Sequence, residues 1–231
     1  MKGYENVSRN VLTRRTPVIL RVDGRAFHTF TRGFATPFDQ MMHNAMVATA
    51  TALVQEIQGA KVAYGQSDEI SVLLTDYDTL QTDAWFGYNI QKMVSIAASV
   101  ATIAFNESIG GYPEYGTYRK PAQFDARVFS LPKEEVVNYF VWRQQDATRN
   151  SIQMVARTHF SHKQCHKKNV SDLQDMLMEK GINWNNTPTH FKRGFCVKGT
   201  DGIVWDREIP IFTQDREYLE RFVHPDLPIL R

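Results

Sequence analysis

The stretch YGQSDEISVLL, residues 64–74, joins two apolar runs through a short polar connection. The runs KVAY (61–64) and ISVLLT (70–75) have the composition of β-strands, and residues 66–69 between them predict a tight turn. Two adjacent acids, Asp68 and Glu69, lie in that turn. Asp is common in turns because its side chain forms local hydrogen bonds, so these acids indicate a site only if another acid reaches the same place.

The segments around this hairpin predict an α+β fold. PVILRV (17–22) is typical of a short strand ended by Asp23-Gly24, and FDARVFSL (124–131) of a last strand. Apolar residues at helical spacing predict a helix over 36–59, with Thr36 as its cap, and a second helix over about 83–105. The order β-α-β-β-α-β is that of a ferredoxin-like antiparallel sheet with helices on one face.

This order brings Asp23 and Asp68 together although 45 residues separate them. The first two strands are parallel through a right-handed crossover, so the end of the first strand and the turn after the second share one sheet edge. Two carboxylates would repel there without a cation, and Mg²⁺ is the expected occupant. Two ordinary acidic turn residues are the alternative. Gly24 allows close approach of a ligand, and the amides from Gly24 to His28, beside Arg25, suit a triphosphate.

The composition limits the class of protein. With 231 residues, of which 42% are hydrophobic, the chain can bury the core of one large domain or of a domain with an appended lobe. No segment reaches the roughly 18 apolar residues of a membrane span. Cys165 and Cys196 are too few for a disulfide framework. We therefore expect a cytoplasmic protein without a membrane partner.

Positive charge is concentrated in the later part of the chain. Residues 141–200 contain ten Lys or Arg and four Asp or Glu, a net charge of +6, whereas the whole chain carries +2. This polarity suits a polyanion held by the later segment and metal ions held by acids of the earlier one. A solvated helix face would have the same composition.

Five motifs resemble those of the tRNA(His) guanylyltransferases and their Thg1-like relatives, which extend RNA in the 3′-to-5′ direction. They are RVDGRAFHTF, AYGQSDEIS, FDARVF, YFVWRQQDATRNSI and NWNNTPTHFKRG, in the family's order and spanning the chain to about Gly199. The resemblance implies a palm like that of 5′-to-3′ polymerases over residues 1–131 and a basic, helical RNA-binding lobe over residues 132–231 packed on it. It also implies a homotetramer.

The resemblance implies roles for individual residues. Asp23, Asp68 and the Gly24 carbonyl would hold two Mg²⁺ ions, and Glu69 would assist them. Asp39 would contact a base, although its position three residues after Thr36 also suits a helix cap. The residues expected around the nucleotide triphosphate are Arg25, Ala26, Phe27, His28, Ser67, Lys92 and Arg127.

The implied reaction has two phosphoryl transfers. The 5′-monophosphate of an RNA attacks the α-phosphate of ATP and releases pyrophosphate, and the 3′-hydroxyl of an incoming nucleotide then attacks the adenylylated end and expels AMP. Paired metals and a phosphate cradle supply most of the stabilisation that such transfers need. ATP and GTP are thus expected as substrates, with tRNA as the RNA partner.

The basic segment is expected to hold RNA phosphates without reading sequence. Its predicted contacts are Arg143, Arg149, Asn150, Arg157, Lys163, Lys167, Lys192 and Arg193. A rival interpretation is a zinc site from the cluster His159, His162, Cys165 and His166, whose spacing places them near one helix face.

Departures from the family pattern favour one branch. Thr36 stands where members commonly have a basic residue before the proline. Enzymes that add one untemplated guanosine carry His-Ile-Asn-Asn where this chain has Thr148 to Ser151, which favours the Thg1-like branch and templated repair of tRNA 5′ ends. The alternatives are untemplated guanosine addition, a palm-fold nucleotidyl cyclase and a non-catalytic RNA-binding protein. Residues 201–231 are unassigned beyond a hairpin strand in DGIVWDREIPIF and a short helix in DREYLERF.

Overall fold

A computed structural model describes residues 1–115, 120–199 and 202–224. Its strands form one antiparallel sheet in the order β4-β1-β3-β2-β5-β6. The first four strands in the chain follow the ferredoxin-like order, so the predicted fold class is confirmed. The strands are β1 (Val18–Gly24), β2 (Ala60–Gln66), β3 (Glu69–Leu74), β4 (Phe124–Ser130), β5 (Phe195–Lys198) and β6 (Val204–Asp206).

The register of the sheet explains how distant residues meet. Strand β3 lies between β1 and β2 and is antiparallel to both, so β1 and β2 run in the same direction. Asp23 near the end of β1 is opposite Glu69 at the start of β3 and opposite Asp125 on β4. The end of β1 and the β2–β3 turn therefore lie at one edge, as the sequence predicts.

The helices differ in detail from their predicted bounds. The long helix α3 begins at Gln40, because Asp39 and not Thr36 caps it by accepting from the Met42 amide over 2.9 Å. Helix α4 begins at Ile90, because Phe86 and Gly87 have left-handed backbones and Asn89 caps the helix. The helices are α1 (Lys2–Asn6), α2 (Phe27–Phe30), α3 (Gln40–Glu56), α4 (Ile90–Gly110), α5 (Lys133–His159), α6 (His162–Cys165), α7 (Val170–Glu179), α8 (Thr189–Arg193) and α9 (Glu217–Val223).

Both faces of the sheet are covered. Alternate residues of β1, including Val18, Leu20 and Val22, pack with α3 and α4 on one face. Ile19 points to the other face and belongs to a second core with Phe140 of α5 and Phe222 of α9. The prediction of helices on one face holds for α3 and α4 only. Helices α5 and α9 of the later segment cover the opposite face.

The predicted lobe over residues 132–231 is not purely helical. Strand β5 pairs with β2 and extends the palm sheet, and β6 pairs with β5. The predicted hairpin strand and short helix correspond to β6 and α9, while residues 200–201 and 225–231 lie outside the described residues. The division at residue 131 stays a prediction.

Helix α4 is long and apolar enough to cross a membrane by length and composition. It also contacts the core at Met93, Ala97, Ala101 and Phe105, four residues apart. A core helix that packs in this way satisfies the same two criteria as a membrane span.

Candidate nucleotide-binding site

The two predicted acids meet at the sheet edge. The Gly24 amide donates to the Asp68 carbonyl over 3.0 Å, which ties the end of β1 to the β2–β3 turn. Burial raises the pKa of Asp68, and the negative charge of Asp23 raises it further. The Ser67 hydroxyl donates to the Asp68 carboxylate over 3.0 Å, which acts in the opposite direction. Within the described residues, neither Asp23 nor Asp68 forms a salt bridge.

This donor set suits Mg²⁺. That ion usually binds proteins through one or two carboxylates and completes its coordination with water and substrate phosphates. A cation between Asp23 and Asp68 would relieve the repulsion that raises the pKa of Asp68. Among the residues that the structure describes, no group of three or more His, Cys, Asp or Glu side chains could hold a metal. The magnesium site would thus use two carboxylates and the Gly24 carbonyl, and the zinc alternative has no support.

The loops beside the acids have unusual backbones. Ala26 has a φ of 54° and Ser67 a φ of 50°, both in the left-handed region that non-glycine residues seldom adopt. Such residues cost about 1–3 kcal/mol each and cluster at ligand-binding and active sites. Their position on both sides of the acid pair marks this edge as a candidate site.

The predicted phosphate cradle has fewer available amides than the sequence indicates. The Gly24 and Arg25 amides are already bonded, to the carbonyls of Asp68 and Gln123. The amides of Ala26, Phe27 and His28 have no acceptor among the described residues. A Cβ at Gly24 would lie 2.3 Å from the Phe27 ring, so only glycine lets the chain turn here.

A cavity of about 540 Å³ opens beside these amides, between the sheet edge and helices α3, α5 and α8. Arg25, Lys92 and Arg127 are not among its described lining residues: Arg25 bonds to the Gln123 side chain and Arg127 to Asp125. Their phosphate roles stay predictions. The predicted site residues that do line the cavity are Gly24, Ala26, Phe27, His28, Asp39, Ser67, Asp68 and Asn150.

Asp39 has a structural role that explains its position. Its carboxylate accepts from the amides of Met42 and Ala35 and from the Tyr115 hydroxyl, at 2.8–2.9 Å. Burial acts to raise the pKa of Asp39, but these donors lower it below its usual range. The helix-cap role is therefore present, and a contact with a nucleotide base stays a prediction.

Two histidines that the sequence analysis did not single out line the cavity. The rings of His43 and His190 lie 4.5 Å apart. Burial, followed by the nearby His190 and Arg207, lowers the pKa of His43 to about 3, and burial also lowers that of His190. Nε2 of His43 and both ring nitrogens of His190 are buried without a hydrogen-bond partner among the described residues. The cavity wall therefore contains two neighbouring imidazoles whose protonated forms are disfavoured by burial.

Comparison with known proteins agrees with this site. The family model of the tRNAHis guanylyltransferases, Thg1, matches residues 1–132. A guanylyltransferase of Schizosaccharomyces pombe is 30% identical over 222 residues, covering 90% of this chain and 79% of its own. The chain belongs to the tRNA(His) guanylyltransferase family. Members of this family are nucleotidyltransferases, so the chain is an enzyme of that class.

Two solved structures are similar over 97% of both chains. One is a bacterial tRNA(His) guanylyltransferase-like protein in complex with ATP, 51% identical with a TM-score of 0.93. The other is such a protein in complex with GTP, 46% identical with a TM-score of 0.84. The chain spans about two thirds of the length of the mouse and fruit-fly relatives that it also matches. The family assignment predicted from the motifs is confirmed.

Helix α5 corrects two of the predicted roles in this guanylyltransferase-like site. Arg143 is buried, and it donates to both oxygens of Glu69 at 2.7 Å, while Arg21 lies 3.8 Å from the same carboxylate. Arg143 is therefore not available to an RNA phosphate. Glu69 holds α5 against the sheet, and its carboxylate is not free as the predicted catalytic role requires. The sequence does contain a signal of this buried charge network. Arg21 lies within the apolar run PVILRV, and a charged residue in a buried strand needs a charged partner.

The other predicted RNA contacts lie outside the cavity, apart from Asn150. Arg149 pairs with Asp146, and Lys192 donates to the Asn185 carbonyl over 2.8 Å. Arg193 has a buried Nε without a described partner. Arg157, Lys163 and Lys167 are exposed near the end of α5 and in the segment after it. Their RNA contacts stay predictions.

Proposed function

We propose that this protein adds nucleotides to the 5′ end of tRNA in the 3′-to-5′ direction, directed by the opposite strand, and so repairs incomplete 5′ ends. The observation that carries the proposal is the acid couple Asp23 and Asp68, which forms no salt bridge with a described residue, beside the amides of Ala26, Phe27 and His28, which have no acceptor among the described residues. Asp68 and these three residues line one cavity, and Asp23 lies next to it on β1. Acids for metal and amides for phosphate are the two parts that phosphoryl transfer requires. The two related bacterial structures contain ATP and GTP, which supports both as substrates.

Each step of the proposed reaction forms one bond to phosphorus and breaks another. A 5′-phosphate oxygen of the RNA bonds to the α-phosphorus of ATP, and the bond to pyrophosphate breaks. The 3′-oxygen of the incoming nucleotide then bonds to the 5′-phosphorus of the RNA, its proton is lost, and AMP leaves. Bound Mg²⁺ would neutralise charge on the attacking and leaving oxygens. The Ala26 to His28 amides would orient the triphosphate, and the strained Ala26 and Ser67 loops would hold that geometry before substrate binds.

The segment from Thr148 to Ser151 supports templated addition. Thr148 stands where the untemplated enzymes have histidine, and Asn150 and Ser151 after it line the cavity wall. A nucleotide that pairs and stacks on the acceptor stem is held with its 3′-hydroxyl near the activated phosphate. An unpaired nucleotide would need protein contacts in place of that pairing. If the protein supplies such contacts, its function is untemplated guanosine addition, which is the second candidate.

The test of templating uses tRNAs that lack their first 5′ nucleotide, each with a different base opposite the gap. Each tRNA is supplied with the four triphosphates separately, and the added nucleotide is identified. We expect addition of the complementary nucleotide in each case. Guanosine addition whatever the opposing base would refute templating and leave the untemplated activity.

The metal assignment has its own test. We expect Mg²⁺ to raise the melting temperature of the unaltered protein. Asp23→Asn and Asp68→Asn should remove that rise and abolish both adenylylation and nucleotide addition. Neither variant should melt earlier without Mg²⁺, because each removes one of two repelling charges. The matched control is Asp175→Asn, an exposed residue of α7. Retained turnover in either variant would contradict the assignment. The homotetramer and the cytoplasmic location stay part of this proposal.

A further inference from the structure

A second cavity, of about 240 Å³, lies where α5 ends and α6 begins. Its wall is basic: Arg157, Lys167 and Lys168 contribute to it, with the rings of His162 and His166. No Asp or Glu is among its described lining residues. None of the three cations forms a salt bridge with a described residue. Unpaired cations around one concavity repel each other, so the arrangement is suited to an anion.

The cavity has a fixed floor. Leu173 of α7 is buried at its base, in the small core that joins the end of α5 to α7, and Cys165 packs against the same core. Lys167 has a φ of 61°, a left-handed backbone that costs a lysine roughly 1 kcal/mol or more. The basic side chains therefore project from a folded support and not from a free segment.

Its place along α5 relates this cavity to the nucleotide-binding site. Asn150 lines the larger cavity and Arg157 lines the smaller one. Seven residues are two helical turns, so the two side chains lie on the same face of α5, about 10 Å apart along the axis. An RNA strand whose reacting end lies at the larger cavity can therefore place a backbone phosphate, a few nucleotides away, at the smaller one.

We infer that the smaller cavity binds a backbone phosphate of the RNA substrate a few nucleotides from the reacting end. Arg157 provides a planar guanidinium that binds phosphate through two parallel hydrogen bonds, and Lys167 and Lys168 add point charges. Such a contact fixes the position of the strand without reading its sequence. The inference rests on the proposed RNA substrate. It assigns the phosphate to an RNA strand and not to free phosphate or a nucleotide.

The test compares the double variant Arg157→Ala/Lys167→Ala with the unaltered protein in RNA-binding titrations over a range of salt concentrations. We expect the slope of log affinity against log salt to become shallower by about one, because the double variant loses one phosphate contact. ATP binding should not change. The matched control Lys2→Ala/Arg9→Ala removes the same two charge types from exposed positions near the N-terminus and should leave the slope unchanged. The charge-preserving variant Arg157→Lys/Lys167→Arg should keep most of the slope, which separates loss of charge from loss of folding.

Two further arms identify the source of the phosphate. A nucleoside 5′-monophosphate has no second backbone phosphate to place in the smaller cavity, so its affinity should be the same for the double variant and the unaltered protein. Inorganic phosphate is titrated alone. An unchanged salt slope with full-length tRNA would overturn the inference, and if phosphate alone bound to the cavity the site would be a free-anion site. Failure of templated addition with the slope change intact would refute the proposed function and leave this RNA contact standing.

Discussion

Removing the Arg143 guanidinium should lower the free energy of unfolding far more than its position in a basic helix suggests. Arg143 and Glu69 are both buried and share two hydrogen bonds of 2.7 Å. An Arg143→Met substitution keeps the aliphatic volume but leaves the Glu69 carboxylate buried, with only Arg21 nearby at 3.8 Å. Breaking one partner of a buried pair costs about 3–5 kcal/mol. At about 2–4 °C per kcal/mol for a chain of this size, the melting temperature should fall by roughly 6–20 °C.

The assay is urea unfolding of Arg143→Met, Glu69→Gln and the double variant, analysed as a double-mutant cycle. The double variant should recover at least half of the loss, because it removes both charges of the bonded pair, but Arg21 then loses its partner at 3.8 Å and recovery should not be complete. Arg149→Met is the matched control on the same helix: its side chain is half exposed and pairs with Asp146, so its loss should cost about 0–1 kcal/mol. Additive single effects, or a loss at Arg143 no larger than at Arg149, would refute the buried-pair reasoning.

Two other outcomes follow from the site. The folded state holds the pKa of His43 at about 3, against about 6.5 unfolded, so the unfolded state takes up more protons as the pH falls below 6.5. As the pH falls from 7.5 to 5, His43 should therefore lower the free energy of unfolding by about 2 kcal/mol. Urea unfolding of His43→Leu at the two pH values should not show this decrease. The same pH dependence in the variant and the unaltered protein would contradict a neutral His43 imidazole. Gly24→Ala places a methyl 2.3 Å from the Phe27 ring, which packs on Phe105 and Phe124, so we expect about 1–3 kcal/mol of destabilisation and loss of ATP binding by calorimetry. The control Gly110→Ala meets no atom within 4 Å, and a similar loss there would show that the Phe27 contact is not the cause.

The parts of the site that lie close together in the sequence are the parts that sequence patterns predict well. Asp23 with the turn that follows it, and Ser67 with Asp68, each belong to a strand end with a recognisable turn signal. The strand and helix order then brings the two turns to one edge. What the patterns did not predict is which amides are already bonded, because the partner of the Arg25 amide is Gln123, 98 residues away.

Helix caps and helix breaks were predicted less well than strand order. Thr36 and Asp39 are both good capping residues, and only the backbone conformation decides between them: Asp39 is extended, with a φ of −109°, directly before the first helical residue. The start of α4 was placed too early because Phe86 has a left-handed backbone that its residue type does not favour.

Helix α5 shows why a count of charges is a poor guide to RNA contacts. Val136, Arg143, Asn150 and Arg157 are seven residues apart, so they lie along one slowly drifting face of the helix. That face packs against the sheet at Val136 and holds Glu69 at Arg143, lines the nucleotide cavity at Asn150, and reaches the basic cavity at Arg157. Arg143 follows a buried valine by two turns and Phe140 by three residues, which is the spacing of a core position and not of a solvated face. One helix face thus connects the buried charge pair to both cavities, and a tilt of α5 caused by loss of the Arg143–Glu69 pair would move the wall of each.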